Sequence, residues 1–313
     1  FVIYIGMQFF TNVSSGGFQP TLADFVPTKQ RGISAGLKGL FTLIGSIIGV
    51  AVISELLSVH QNSLALIVVA GSFVLTTTLN VIAMRPYDKT DAPITPIHLG
   101  AALRDMFRAK RVPGGFYWFI FGSFLIYMGL SNFQGFSQYY LQTVLRQTQD
   151  QALQSQSIFG LVGVLVSMVF AVSAGILSDR IGRRNIIIVA ASAAVVLSIG
   201  FLFVPAIGAL FPVLSGFGAF LIVASLYSAA IGMVQSVDTA LTSDLVPLEA
   251  AGKYMAYANL AVGVANSVAP LLFGLILFVQ GPLTARSFNA FFIVTAIFFA
   301  ISAGIMSTKV VNK

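Results

Sequence analysis

Apolar residues fall in long unbroken runs separated by short polar stretches. Nine runs stand out: Val2–Gly17, Ile33–Ile53, Leu64–Met84, Phe116–Tyr140, Ser157–Leu177, Ile186–Val204, Val213–Leu241, Tyr254–Val279 and Phe288–Met306. Crossing the hydrocarbon core of a bilayer takes about 20 apolar residues per helix. The runs are too long for strands and lack the apolar–polar alternation of a barrel. They predict an all-α polytopic membrane protein with nine spans. Glycine is frequent inside them, which suits close helix packing in lipid.

Composition agrees. Apolar residues are 57% of the 313, Asp, Glu, Lys and Arg only 9%, and mean hydropathy is +0.92. A soluble domain has about 25% charged residues, so this chain cannot cover a water-facing surface. A soluble enzyme, a disordered chain and a nucleic-acid module are excluded. There are no cysteines, so disulfides and thiolate chemistry are absent. The chain opens at Phe1 with no basic n-region. This is not a signal peptide; it reads as a fragment cut inside a membrane segment.

The net charge of +7 invites a nucleic-acid partner, but its distribution argues otherwise. Nine spans place alternate loops on opposite sides. One set, 18–38, 85–115, 178–185, 242–253 and 307–313, holds 15 of the 17 basic residues; the other holds Arg146 and Arg286. The positive-inside rule makes the first set cytoplasmic. The expected location is the plasma (inner) membrane, multi-pass, with the C-terminus cytoplasmic. The longest loop, from Arg85 to Gly115, carries Pro86, Pro93 and Pro96 and then a basic stretch. It reads as a cytoplasmic linker, within which 98–111 has the makings of a short surface helix.

An internal repeat divides the chain. Residues 24–32 read DFVPTKQRG and residues 244–252 read DLVPLEAAG, with Asp24/Asp244, Val26/Val246, Pro27/Pro247 and Gly32/Gly252 at a constant offset of 220. Both copies lie in loops assigned to the cytoplasm. Parallel duplication of a helix bundle is a transporter architecture. The predicted organisation is 1–84 as the rest of an N-terminal bundle, 85–115 as linker and 116–313 as a C-terminal six-helix bundle. If the halves are equal, roughly a hundred residues, or three helices, precede Phe1, and the nine spans are the fourth to twelfth of twelve.

Between the fifth and sixth spans the chain reads Gly175-Ile-Leu-Ser-Asp179-Arg180-Ile-Gly182-Arg183-Arg184. Gly175 would let two helices approach, Asp179 could accept from amides, Gly182 permits a tight turn and the arginines hold the loop in the cytoplasm. This loop resembles that of the major facilitator superfamily. The resemblance implies two bundles rocking about a central cavity, with Asp179 latching one conformation against the start of the second span, near Arg31 to Ser34. Asp238-Thr-Ala-Leu leading into DLVP, Asn259, and Gln138-Tyr-Tyr-Leu are similar to sucrose-transporter-like carriers and glycoside–pentoside–hexuronide cation symporters. That implies cation-driven uptake of a sugar or glycoside.

Polar side chains within spans are costly and mark cavities or helix contacts. Gln8 and Asn12 share one face of the first span; Asn132, Gln134 and Gln138 lie on the fourth, Tyr227 on the seventh and Asn266 on the eighth. In the resembled family the first, fourth and seventh of these spans line the path. Amides and hydroxyls both donate and accept, which suits hydroxyl-rich ligands, and rings such as Tyr227, Trp118 and Phe136 can pack on sugar faces. Asp238 is the acid most deeply embedded, and Lys38 sits at similar depth in the second span. They are expected to pair when the inner gate is shut. The expected gating set is therefore Gly175, Asp179, Arg180, Gly182, Arg183, Asp238 and Lys38.

Gly32-Ile-Ser-Ala-Gly36 matches the nucleophile-elbow pattern, but it opens a transmembrane helix and has no histidine partner. With two histidines and no cysteine, no metal site is expected either. The chain is read as a secondary carrier, not an enzyme, without cofactor, monomeric in the bilayer, binding a small-molecule substrate with a coupling proton or sodium ion. The rival readings are proton-coupled efflux of drugs or metabolites, and a non-transporting sensor on the same bundle.

Overall fold

The computed structural model describes residues 10, 31–85, 114–211, 215–245, 251–279 and 283–310. Of 31–40, 42, 43, 54, 58, 84, 114, 239, 243 and 251–253 it describes the backbone alone. Gln8 and Asn12, the first repeat copy up to residue 30 and the linker from 86 to 113 lie outside the described residues.

Eight long helices account for nearly all of the described chain, which contains no strand. They are α1 (Arg31–Ser58), α2 (Asn62–Met84), α3 (Gly114–Thr143), α4 (Gln149–Ile181), α5 (Arg183–Leu210), α6 (Ser215–Leu245), α7 (Ala251–Val279) and α8 (Ala285–Thr308). Seven, α2 to α8, are long and apolar enough to cross a membrane, while α1 carries a shorter apolar stretch, Ile44–Leu57. Leu66, Ile67, Val69, Phe73, Val74 and Leu75 on α2 are exposed, as lipid-facing side chains should be.

Helix α6 lies against α4 and α5, α8 against α5 and α3, and α7 against α3; α1 runs along α4. At their centre is a packed aromatic cluster. The ring of Phe133 lies 4.7 Å from Phe201 and 4.8 Å from Tyr227, and Phe201 stacks on Phe292 at 4.6 Å. Each such pair adds about 1 kcal/mol beyond the area it buries.

Two helices outrun their apolar stretches. The apolar signal of the fifth span starts at Ser157, yet α4 begins at Gln149, because Thr148 and Gln151 form a reciprocal capping box that satisfies two orphan N-terminal amides. The sixth span is expected to end at Val204, before a proline, but α5 carries Pro205 inside it and runs to Leu210. An internal proline leaves the carbonyl four residues earlier without its N–H donor. Here that carbonyl belongs to Phe201, and the hydroxyl of Tyr140 on α3 donates to it at 2.9 Å.

Among the described residues a Cβ built on Gly175 meets nothing within 4 Å; the side chains of 31–40 on α1, which runs along α4, lie outside them. A tight crossing is at Gly232 on α6, where a Cβ would run into the backbone of Ser167 on α4.

Candidate functional site

The ends of α4, α6 and α8 and the start of α5 come together around one turn. Helix α4 stops at Gly182, whose φ of 92° is one that residues with a Cβ rarely adopt. The turn aims its two arginines in different directions. Arg183 donates from Nη1 to Asp244 Oδ1 at 2.7 Å and to the carbonyl of Ala240 at 3.0 Å, both on α6. Arg184 donates from Nε to the carbonyl of Met306 at 2.7 Å and from Nη2 to that of Ser307, at the end of α8. One turn therefore ties together the ends of four helices. Asp244 heads the second repeat copy, so motif loop and repeat meet in space.

Asp179 is 73% exposed and lies 3.9 Å from the second Nη of Arg183, one helical turn away. Arg180, in the last turn of α4, is also exposed. The expected latch between Asp179 and residues Arg31 to Ser34 involves side chains outside the described residues, as does Lys38. At the same end, Lys309 Nζ sits 5.9 Å from the ring centre of Trp118. This places Trp118 with the terminal basic groups, away from a mid-membrane sugar.

Further into the bundle the polar groups separate into two populations. On α3, Ser131, Gln134 and Gln138 follow helical spacing along one face. Gln134 and neighbouring Gly135 are exposed, and Ser131 and Gln138 partly so. Ser131 donates to the side-chain carbonyl of Asn266 on α7, joining the two helices along this open face. Ser137 donates to Gln156 Oε1 on α4 at 3.0 Å.

Asn132 and Tyr227 belong to the other population, and their expected place on a cavity wall is corrected. Both are fully buried. Tyr227 packs in the aromatic cluster and donates its hydroxyl to the carbonyl of Gly129 at 3.1 Å. Asn132 reaches Thr295 Oγ1 on α8 at 3.5 Å, and its Oδ1 has no partner among the described residues. A one-residue step along α3, from Ser131 to Asn132, rotates a side chain by about 100° and so exchanges the open face for the core. Phe136 likewise packs on Phe291 at 5.5 Å.

Asp238 is 8% exposed. Its partners are two hydroxyls of α3: Ser123 donates to Oδ1 at 3.0 Å and Tyr127 to Oδ2 at 3.4 Å. Neither residue is an obvious candidate from its type, yet the signal was present, because Ser123 and Tyr127 are four apart and share a helix face.

At the opposite end of the bundle, α1 and α4 are in contact. Val50 packs over Gly160, where a Cβ would come within 3.0 Å of it. His60 Nε2 lies 4.0 Å from Asp150 Oδ1, both well exposed.

A sequence model of the Major Facilitator Superfamily matches residues 1–270. No curated protein and no solved structure matches the chain.

Proposed function

The chain belongs to the Major Facilitator Superfamily, is a multi-pass membrane transporter of that family, and, we propose, takes up a sugar or glycoside by alternating access with cation coupling. The observation that carries the substrate reading is the open face of α3. Gln134, Gln138 and the Ser131–Asn266 pair offer amides and hydroxyls along two adjoining helices. Such groups both donate and accept, which a polyol needs and an apolar drug does not.

In this reading residues 1–84 and 116–313 belong to two bundles joined by a cytoplasmic linker. The seam between α1 and α4, closed by Val50 on Gly160, is where they move against each other. Arg183 and Asp244 fasten the cytoplasmic end of the second bundle, and Gly182 fixes the turn that presents Arg183. The basic loops put the C-terminus in the cytoplasm of a cell whose plasma (inner) membrane holds the protein.

Uptake of a panel of labelled sugars and glycosides into vesicles, with and without a protonophore or a sodium gradient, tests this. Gradient-dependent accumulation of a hydroxylated solute is the expected result. Extrusion of apolar compounds would instead identify an efflux carrier, and binding without movement a sensor.

A further inference from the structure

Asp238 raises a question that packing alone does not answer. A carboxylate removed from water is stabilised by a cation or by several hydrogen bonds. Among the described residues no lysine, arginine or histidine forms an ion pair with it. Each of its oxygens instead meets one neutral hydroxyl, from Ser123 and from Tyr127.

Among the described residues the other groups around it are committed elsewhere; the side chains of Lys38 on α1 and Lys253 on α7 lie outside them. Thr242, one turn on, spends its hydroxyl on the backbone carbonyl of Asp238. The nearest charged group along the same helix is Asp244, and its partner Arg183 of α5 also binds the carbonyl of Ala240. On α4 the charges are Asp179 and Arg180, both exposed at the end of the helix, and on α5 Arg184 is committed to α8. Of the α7 tyrosines, Tyr254 lies against the ring of Phe116 at 5.2 Å and Tyr257 against Tyr254. Phe116 is two turns from Ser123 on α3.

We propose that Asp238, Ser123 and Tyr127 form a proton-binding site between α3 and α6. The proposal rests on the cation-coupled reading above and names the cation and its seat. The Tyr127 hydroxyl can reverse its hydrogen bond. With Asp238 ionised both hydroxyls donate to it; with a proton on Oδ2 the acid donates to the oxygen of Tyr127, while Ser123 continues to donate to Oδ1. The site thus accepts a proton without repacking. One helix of the pair, α3, also carries Ser131, Gln134 and Gln138 on its open face. A proton at Asp238 changes the charge held between α3 and α6, and so biases any motion of α3 that opens or closes that face. Three side chains supply four oxygens here, and each carboxylate oxygen faces a hydroxyl, a group that can donate to the ionised acid or accept from the protonated one.

Infrared difference spectroscopy on the full chain in lipid tests this without a substrate. A protonated-carboxyl band should appear and disappear as pH is stepped, and be lost in Asp238→Asn. Asp238→Glu should restore it, and Tyr127→Phe, which leaves the acid in place, should shift its frequency and midpoint. A band unchanged in Asp238→Asn, or indifferent to Tyr127→Phe, overturns the site. Removal of the band by sodium at fixed pH overturns the choice of a proton. Vesicle uptake run on the same preparations separates the two readings. Gradient-driven uptake without an Asp238 band rejects only the site. A titrating Asp238 band in protein that moves no solute supports the site and rejects the coupling.

Discussion

Arg183 and Asp244 meet at 2.7 Å, and through this contact the turn after α4 holds the end of α6. The arginine is 30% and the aspartate 52% exposed, so screening limits the pair to about 0–1 kcal/mol of stability. Its value lies in geometry. Asp244→Asn should therefore leave the melting temperature within about 2 °C of the parent, on a stability change of that size. Transport should fall several-fold in the same vesicles. Equal losses of stability and transport would assign the pair a purely structural role.

The hydroxyl of Tyr140 occupies the carbonyl that Pro205 leaves open on Phe201. Tyr140→Phe removes that donor and should cost about 1 kcal/mol, the range for a hydrogen bond between helices in lipid. Pro205→Ala restores an N–H to the same carbonyl. In the double variant the loss on removing the Tyr140 hydroxyl should shrink. A double-mutant cycle on unfolding in mixed micelles measures the coupling, and additive effects would contradict the assignment.

Gly232 and Gly175 should respond differently to the same change. Gly232→Ala drives a methyl group into the backbone of α4 and should cost about 1–3 kcal/mol, as overpacking does. Gly175→Ala meets no described side chain within 4 Å and should be within about 0.5 kcal/mol of neutral, as surface substitutions are. Thermal unfolding of the two variants side by side decides it.

Gly182 adopts φ 92°. Gly182→Ala should loosen the turn, destabilise the protein by about 1 kcal/mol or more, and weaken both the Arg183–Asp244 and Arg184–α8 contacts. Hydrogen exchange at the ends of α6 and α8 should rise together. A rise at α6 alone would mean that Arg184 holds its carbonyls independently of the turn.

The spans were legible because lipid admits only helices and closed barrels, and the runs are too long and too evenly apolar for barrel strands. The turn at Gly182 was legible for a similar reason: glycine is the residue for that backbone. Less legible was anything set by a neighbouring helix. Tyr227 reads the same on a cavity wall as in a core, and only the rings of α3 and α5 around it decide. Ser131 and Asn132 are adjacent in sequence but lie on different faces once α7 and α8 are packed. Thr148 shows how a cap extends a helix past its apolar stretch, and Pro205 how a side chain from elsewhere permits a helix to continue. Ser123 and Tyr127 were hidden as partners of Asp238 because a serine and a tyrosine in a span carry no mark of the acid they face.

Alternating access requires that one position face each side of the membrane in turn. The chain has no cysteine, so a single introduced one is labelled without background. Gln134→Cys, on the open face of α3, should react with an impermeant thiol reagent applied from either side of a sealed membrane. Tyr227→Cys, in the core, should react from neither. Labelling of Gln134→Cys from one side only, or from neither, would contradict the account.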